Sequence, residues 1–110
     1  MNKLWIAMIA AAGLAVAGNA LAAGDVAKGK EKSALCATCH GADGNTPIMP
    51  EYPKLAGQPD DYLVKALRDY KSGKRKNPLM APMAQNLSKE DIKDLAAYFS
   101  SLNGDLKVKY

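Results

Sequence analysis

Residues 36–40 read CATCH, with Cys36 and Cys39 three positions apart and His40 directly behind them. They are the chain's two cysteines and its single histidine, so every thiol and the only imidazole share one short stretch. Four chemistries use such a set. A zinc site needs about four ligands, usually Cys and His. CATCH offers three and the chain holds no other Cys or His, so a carboxylate would have to complete the set. A thioredoxin-type redox pair also uses C-x-x-C, but within a βαβ context that nothing in this sequence reads as. A local disulfide would close a loop too short to add much stability, and it leaves the adjoining histidine unexplained. The fourth is covalent haem, for which C-x-x-C-H is the attachment signature.

The spacing has a physical reason. On a helical turn, residues three apart lie on one side. Cys36 and Cys39 can therefore each form a thioether to a porphyrin edge, and His40 can swing its ring to the iron. The opposite side of the iron decides between electron transfer and reactive chemistry. No second histidine exists. Of the five methionines, Met1 and Met8 fall in an N-terminal segment that reads as cleaved, which leaves Met49, Met80 and Met83. Met49 is only 49 − 40 = 9 residues past His40 and would have to wrap abruptly to the opposite haem face. It reads as a core filler. Met80 and Met83 lie in NPLMAPMAQN, just before the last helical segment, and can reach the iron.

The elements that must position these residues come from the rest of the chain. Met1–Lys3 carry positive charge, Leu4–Ala17 are almost wholly apolar, and Ala20 and Ala22 form a small-x-small cleavage pattern. Residues 1–23 read as a signal peptide. The rival is a membrane anchor, but the apolar run is shorter than the ~20 residues a span needs. Residues 24–110, 110 − 23 = 87 of them, then form one small domain. A core that size is thin, and a cofactor often supplements it. Without Lys3, 15 − 1 = 14 basic residues face 11 acidic ones. The cations are scattered and no aromatic residues interleave them, which excludes a nucleic-acid surface. A positive face for an acidic protein partner fits better.

Three helices are expected. The first spans Asp25 to Ala37, with Val26, Gly29, Ser33 and Ala37 as a narrow small-residue face that another helix could approach. The second spans Pro59 to Lys71, where Pro59 suits the first turn and Tyr62, Leu63, Ala66, Leu67 and Tyr70 recur at helical spacing. In the third, Ser88 is the N-cap and Asp91 stands at the capping-box position. Ile92, Leu95, Ala96, Phe99 and Leu102 make its apolar stripe, and Asn103-Gly104 ends it. No run alternates as a strand would. The domain is all-α with two long Gly- and Pro-rich loops, which in a small domain point to function.

CATCH at 36–40, PKLAGQ at 53–58, RKNPLMAPM at 75–83 and LSKEDIKDLAAYFSSL at 87–102 resemble the class I c-type cytochromes of the small bacterial periplasmic monohaem kind. The likeness covers essentially all of residues 24–110. It implies a cytochrome c fold, with three main helices and long loops around one covalently bound haem c, the first and last helices crossing. It implies Met80 as the distal ligand, 88 − 80 = 8 residues before the N-cap Ser88, with Met83 as the rival. It also implies a proline carbonyl on the His40 ring, with Pro47 the nearest match and Pro50 the next. Arg75 is expected at a haem propionate and Asn77 near the methionine sulfur, against the ordinary readings of a surface Arg and a turn Asn. The function implied is periplasmic single-electron transfer by a monomer or weak dimer, not an enzyme. Its partners would be donor and acceptor cytochromes, oxidases or reductases, with no nucleic acid and no membrane anchor after cleavage. The alternative is a haem enzyme or ligand sensor with an open or labile sixth position.

Overall fold

The computed structural model describes residues 24–106, so the signal peptide expected at 1–23 lies outside the described residues. Five helices occur among them and no strand: α1 Val26–Lys32, α2 Ala34–His40, α3 Asp60–Ser72, α4 Met80–Gln85 and α5 Lys89–Ser101. The all-α expectation holds.

The first expected helix is two. Asp25 caps α1, its side chain accepting from the Lys28 N–H. At Ser33 both the backbone N–H (3.3 Å) and the hydroxyl (2.7 Å) bond the Lys30 carbonyl three residues back. A serine that bonds back this way tightens the turn and interrupts the regular ladder. The ladder resumes with Ala37 N–H to Ser33 O at 2.9 Å, and α2 continues to His40, past the expected end at Ala37. In α3, Pro59 sits one residue outside as the cap, and Gly73 in the left-handed region (φ 85°) ends the helix. In α5 both arms of the capping box are formed: Asp91 N–H to Ser88 Oγ at 3.0 Å, and Ser88 N–H to Asp91 Oδ2 at 2.9 Å.

The core sits where α5 packs against α1 and α3. Ile92, Leu95, Ala96 and Phe99 are buried, as their stripe requires, and Leu63 joins them from α3. Leu102 is half-buried. The α3 stripe is shallower than expected, because Leu63 alone is buried and Tyr62 is 46% exposed. The small-residue face does its work at Gly29. A Cβ there would lie 2.0 Å from the Asp94 carbonyl oxygen and 2.7 Å from Tyr98 Cβ, so α1 and α5 cross almost backbone to backbone. Ser33 is buried beside it, while Val26 at the far end is exposed. Asp94, which the stripe left out, is buried at this crossing. Its carboxylate accepts from the Asp25 N–H (2.8 Å) and pairs with Lys32 (2.7 Å), which also reaches Asp91 (2.8 Å).

Candidate haem-binding site

Cys36 and Cys39 are free, half-buried thiols on α2. Cys36 packs against the cluster of Leu63, Leu95, Ala96 and Phe99, so the motif is tied directly to the core. Burial pushes the Cys36 thiol up. A reactive redox pair needs the opposite shift, because the thiolate is the nucleophile.

His40 ends α2 and is buried. Gly41 follows at φ 92°, and a Cβ there would lie 2.2 Å from the Thr46 carbonyl oxygen. Only glycine lets the chain turn away at once. The loop beyond it is held by short-range bonds. Asp43 Oδ1 accepts from the Asn45 and Thr46 N–H groups at 2.8 and 2.9 Å. Ile48 N–H returns to the Cys39 carbonyl at 3.0 Å, and Tyr52 N–H bonds Met49 O at 3.1 Å. This second turn carries the chain back over the imidazole. The carbonyl oxygen of Pro53 then stands 2.8 Å from His40 Nδ1. Pro47 is therefore not the ring's partner, and neither is Pro50. The residue nearest in sequence is drawn onto the end of α2 by the Ile48 bond, and the partner arrives one turn later. A carbonyl only accepts, so Nδ1 is the donor, and in the neutral ring Nε2 holds the lone pair. Among the described residues nothing bonds Nε2. The Tyr52 ring flanks the imidazole, with centroids 6.4 Å apart and planes at 54°.

The methionine side is helical where a loop was expected. Asn77 Oδ1 accepts from both Leu79 N–H and Met80 N–H at 2.9 Å, opening α4. Pro82 lies in the first turn, where its missing N–H costs nothing. Met80 and Met83 thus lie three apart on one helical turn and share a side. Met80 is half-buried and Met83 is 37% exposed. Met49, expected as a core filler, is 45% exposed. Asn77 serves the backbone of the Met80 turn: its oxygen is committed to two N–H groups. The Arg75 guanidinium lies over the Tyr70 ring at 4.8 Å and 3.4 Å from the Tyr62 hydroxyl, so two tyrosines hold it. Gln85 donates to the Lys71 carbonyl (2.6 Å), and Lys71 Nζ donates to Leu87 O, fastening the far end of α4 to α3. Pro53, Tyr52, Gln85 and Lys71 were missing from the sequence reading. PKLAGQ held the one usable signal, its leading Pro53; the others are contacts without a local pattern.

These residues fit a c-type haem. Two thiols stand one helical turn apart, the imidazole beside them is fixed in the tautomer a metal needs, and a thioether sulfur is available on a separate element. Covalent haem in an all-α shell defines the class I c-type cytochromes. The cytochrome c family model matches residues 26–103. The chain belongs to the cytochrome c family, whose cofactor is covalently bound haem c.

Cytochrome c4 of Pseudomonas aeruginosa is 50% identical over 101 residues, covering 92% of this chain and 49% of that protein. Cytochrome c-554(548) of Halomonas halodenitrificans is 50% identical over 82 residues, covering 72% of this chain and 98% of that protein. The crystal structure of reduced cytochrome c4 from Pseudomonas stutzeri superposes with a TM-score of 0.70 at 46% identity, over 76% of this chain and 48% of that one. The chain thus spans about half the length of the cytochrome c4 relatives it matches.

Proposed function

We propose that this chain is a periplasmic single-electron carrier. In this reading Cys36 and Cys39 hold the haem through thioethers, and His40 and Met80 are its axial ligands. The bound haem supplies a ferric–ferrous couple. The observation that carries the reading is the 2.8 Å contact between His40 Nδ1 and Pro53 O. It orients the ring, fixes the tautomer and strengthens donation from Nε2. The Tyr52 ring and the Gly41 turn keep the imidazole in that plane. On the other side Asn77 and Gln85 hold both ends of the Met80 turn, so little need rearrange when an electron passes. With both axial positions taken by side chains, no position is left for a substrate. The signal-peptide pattern in residues 1–23 supports export to the periplasm, and the basic balance supports brief, salt-sensitive docking with acidic redox proteins.

Methionine substitution tests the reading. The ferric holoprotein should be low-spin with a far-red methionine–iron band. Met80→Ala should abolish that band, open the sixth position to imidazole or azide, and lower the reduction potential. Met83→Ala should keep the band, and its packing cost should fall below the ~2–5 kcal/mol of a buried methionine, because Met83 is 37% exposed. The reverse pattern moves the ligand to Met83 and keeps the carrier. A spectrum unchanged by either substitution refutes methionine ligation and favours an open-site haem enzyme or sensor.

A further inference from the structure

Pro53 supplies the carbonyl that accepts from His40 Nδ1, yet Pro53 itself is exposed. A proline has no N–H to anchor it, so the place of its oxygen depends on the residues on either side. Before it, Tyr52 N–H bonds Met49 O at 3.1 Å. After it, Lys54 Nζ pairs with Asp105, 51 positions along the chain. The Asp105 N–H in turn donates to Asn45 Oδ1 at 3.1 Å. Gly104 lies flush on the same loop, because a Cβ there would stand 2.8 Å from both Ala56 Cβ and Asn45 Oδ1. Residues 103–106, which follow α5, therefore bridge the start of the loop at Asn45 and its end at Lys54. The other ion pairs among the described residues lie elsewhere: Lys32 joins α1 to Asp91 and Asp94 on α5, and Lys65 meets Asp69 within α3. The Lys54 and Asp105 side chains are 39% and 64% exposed. An ion pair so exposed adds little to global stability, so what sets it apart is its place beside Pro53.

We infer that residues 103–106 are a strap that positions the Pro53 carbonyl on His40, with Asn45, Lys54 and Asp105 as positioning residues, an inference that rests on His40 being an axial ligand. A carbonyl held on Nδ1 makes the ring more basic and strengthens donation from Nε2. Stronger donation favours the ferric state. A loosened strap lets the carbonyl drift, weakens donation and favours the ferrous state. The strap thus adjusts the redox balance from the protein surface, through residues that touch neither His40 nor the two thiols. Its charges offer a rival account, acting on the iron directly through space. The two accounts differ in sign. Removing the Lys54 cation would by charge alone favour the ferric state, and removing the Asp105 anion would favour the ferrous state. Loosening the strap favours the ferrous state in both cases.

The test uses the holoprotein with Lys54→Met, Asp105→Asn and the uncharged change Asn45→Ala. Two quantities are read: the ferrous-to-ferric ratio at a fixed electrode poise, and hydrogen exchange of the His40 Nδ1–H by NMR of the ferric protein. All three variants should raise the ratio by roughly threefold and speed the exchange by roughly fivefold or more, since a group behind a ligating histidine commonly carries effects of this order. Lys54→Arg, which can still pair with Asp105, should restore both. Opposite shifts of the ratio in Lys54→Met and Asp105→Asn, with exchange unchanged, overturn the strap and leave a through-space charge effect. Exchange that quickens only in proportion to a lowered Tm also overturns it, because the contacts would then be structural alone. Wild-type values of both quantities in all three variants overturn it as well. A ferric wild-type protein whose His40 resonances lack the large shifts of an iron ligand refutes the axial reading itself.

Discussion

Where α1 crosses α5, the two backbones touch at Gly29 and Asp94, and Ile92, Leu95, Ala96 and Phe99 are buried alongside. Around α4 one residue, Ala84, is buried, and the turn is held by side chains bonded to backbone: Asn77 to two N–H groups, Gln85 and Lys71 to two carbonyls. One region is a packed joint, stabilised by area and exclusion of water. The other is a polar frame around Met80, the proposed ligand. The proposed carrier would use both, because the joint keeps the thiols and His40 in place while the frame would hold Met80 for the far side of the iron. Regions with few buried apolar contacts open most readily, so ligand exchange should proceed through α4 while α1 and α5 stay closed.

The largest effect is expected from breaking the joint. In Gly29→Leu the new side chain has no room, because its Cβ alone would lie 2.0 Å from the Asp94 carbonyl oxygen. The helices must separate, at a cost of roughly 3 kcal/mol or more, the upper end of overpacking. Thermal unfolding followed by circular dichroism should show Tm lowered by roughly 10 °C or more. The same leucine at exposed Met83 should leave Tm almost unchanged. A Tm insensitive to Gly29→Leu would mean that the crossing is not the joint described.

A smaller effect is expected from acid. The Asp25 N–H and the Lys32 ammonium hold the Asp94 carboxyl below its ordinary 3.8. Lys32 and the Ser88 N–H hold Asp91 at about 2. Both groups take up protons more readily unfolded than folded, so protonation favours the unfolded chain. Their stabilisation is complete above the ordinary carboxylate range and is lost as pH falls from about 4 towards 2. The urea midpoint should decline through that window, and Asp94→Asn should flatten the decline while lowering the midpoint at neutral pH. The α4 region has no carboxylate of its own between Asp69 and Glu90. The far-red band should therefore disappear together with helicity as pH falls, and a band lost well before helicity would mean that acid acts first on the frame.

The two regions also differ in how far the sequence reveals them. Apolar periodicity marks Ile92, Leu95, Ala96 and Phe99, and Ser88 with Asp91 marks where their helix begins. Gly29 within a run of small residues foretells the close crossing. CATCH declares its own chemistry, because the ligands are adjacent and a helix sets their spacing. What escaped was non-local or polar. The Ser33 break depends on a hydroxyl choosing the Lys30 carbonyl over solvent. The partner of His40 depends on how many turns the 41–53 loop makes, and proximity in sequence pointed to Pro47 where the folded loop brings Pro53. The α4 helix hid behind two prolines, although Asn77 is an N-terminal signal and Met, Ala and Gln favour helix. Asp94 was invisible because an aspartate in an amphipathic pattern reads as solvent-facing until Lys32 and the Asp25 N–H meet it.

The smallest effect, and the sharpest probe of the frame, is expected from Asn77→Ala. Asn77 Oδ1 satisfies the N–H groups of Leu79 and Met80, both at 2.9 Å. Losing a cap of this kind costs about 1 kcal/mol. In the packed joint a loss of that size would appear in global unfolding alone. In the frame it should act locally. Asn77 lies outside the core cluster of Leu63, Leu95, Ala96 and Phe99, so Tm should fall by only a few degrees, while the equilibrium for opening the Met80 turn shifts about fivefold. Imidazole binding to the ferric protein, which must displace the methionine, should strengthen by the same factor. Ser in place of Asn, which can still accept from the exposed N–H groups, should restore most of the wild-type affinity. An imidazole affinity that changes only in proportion to global stability would show that α4 unfolds with the rest of the molecule, and the distinction between joint and frame would not survive.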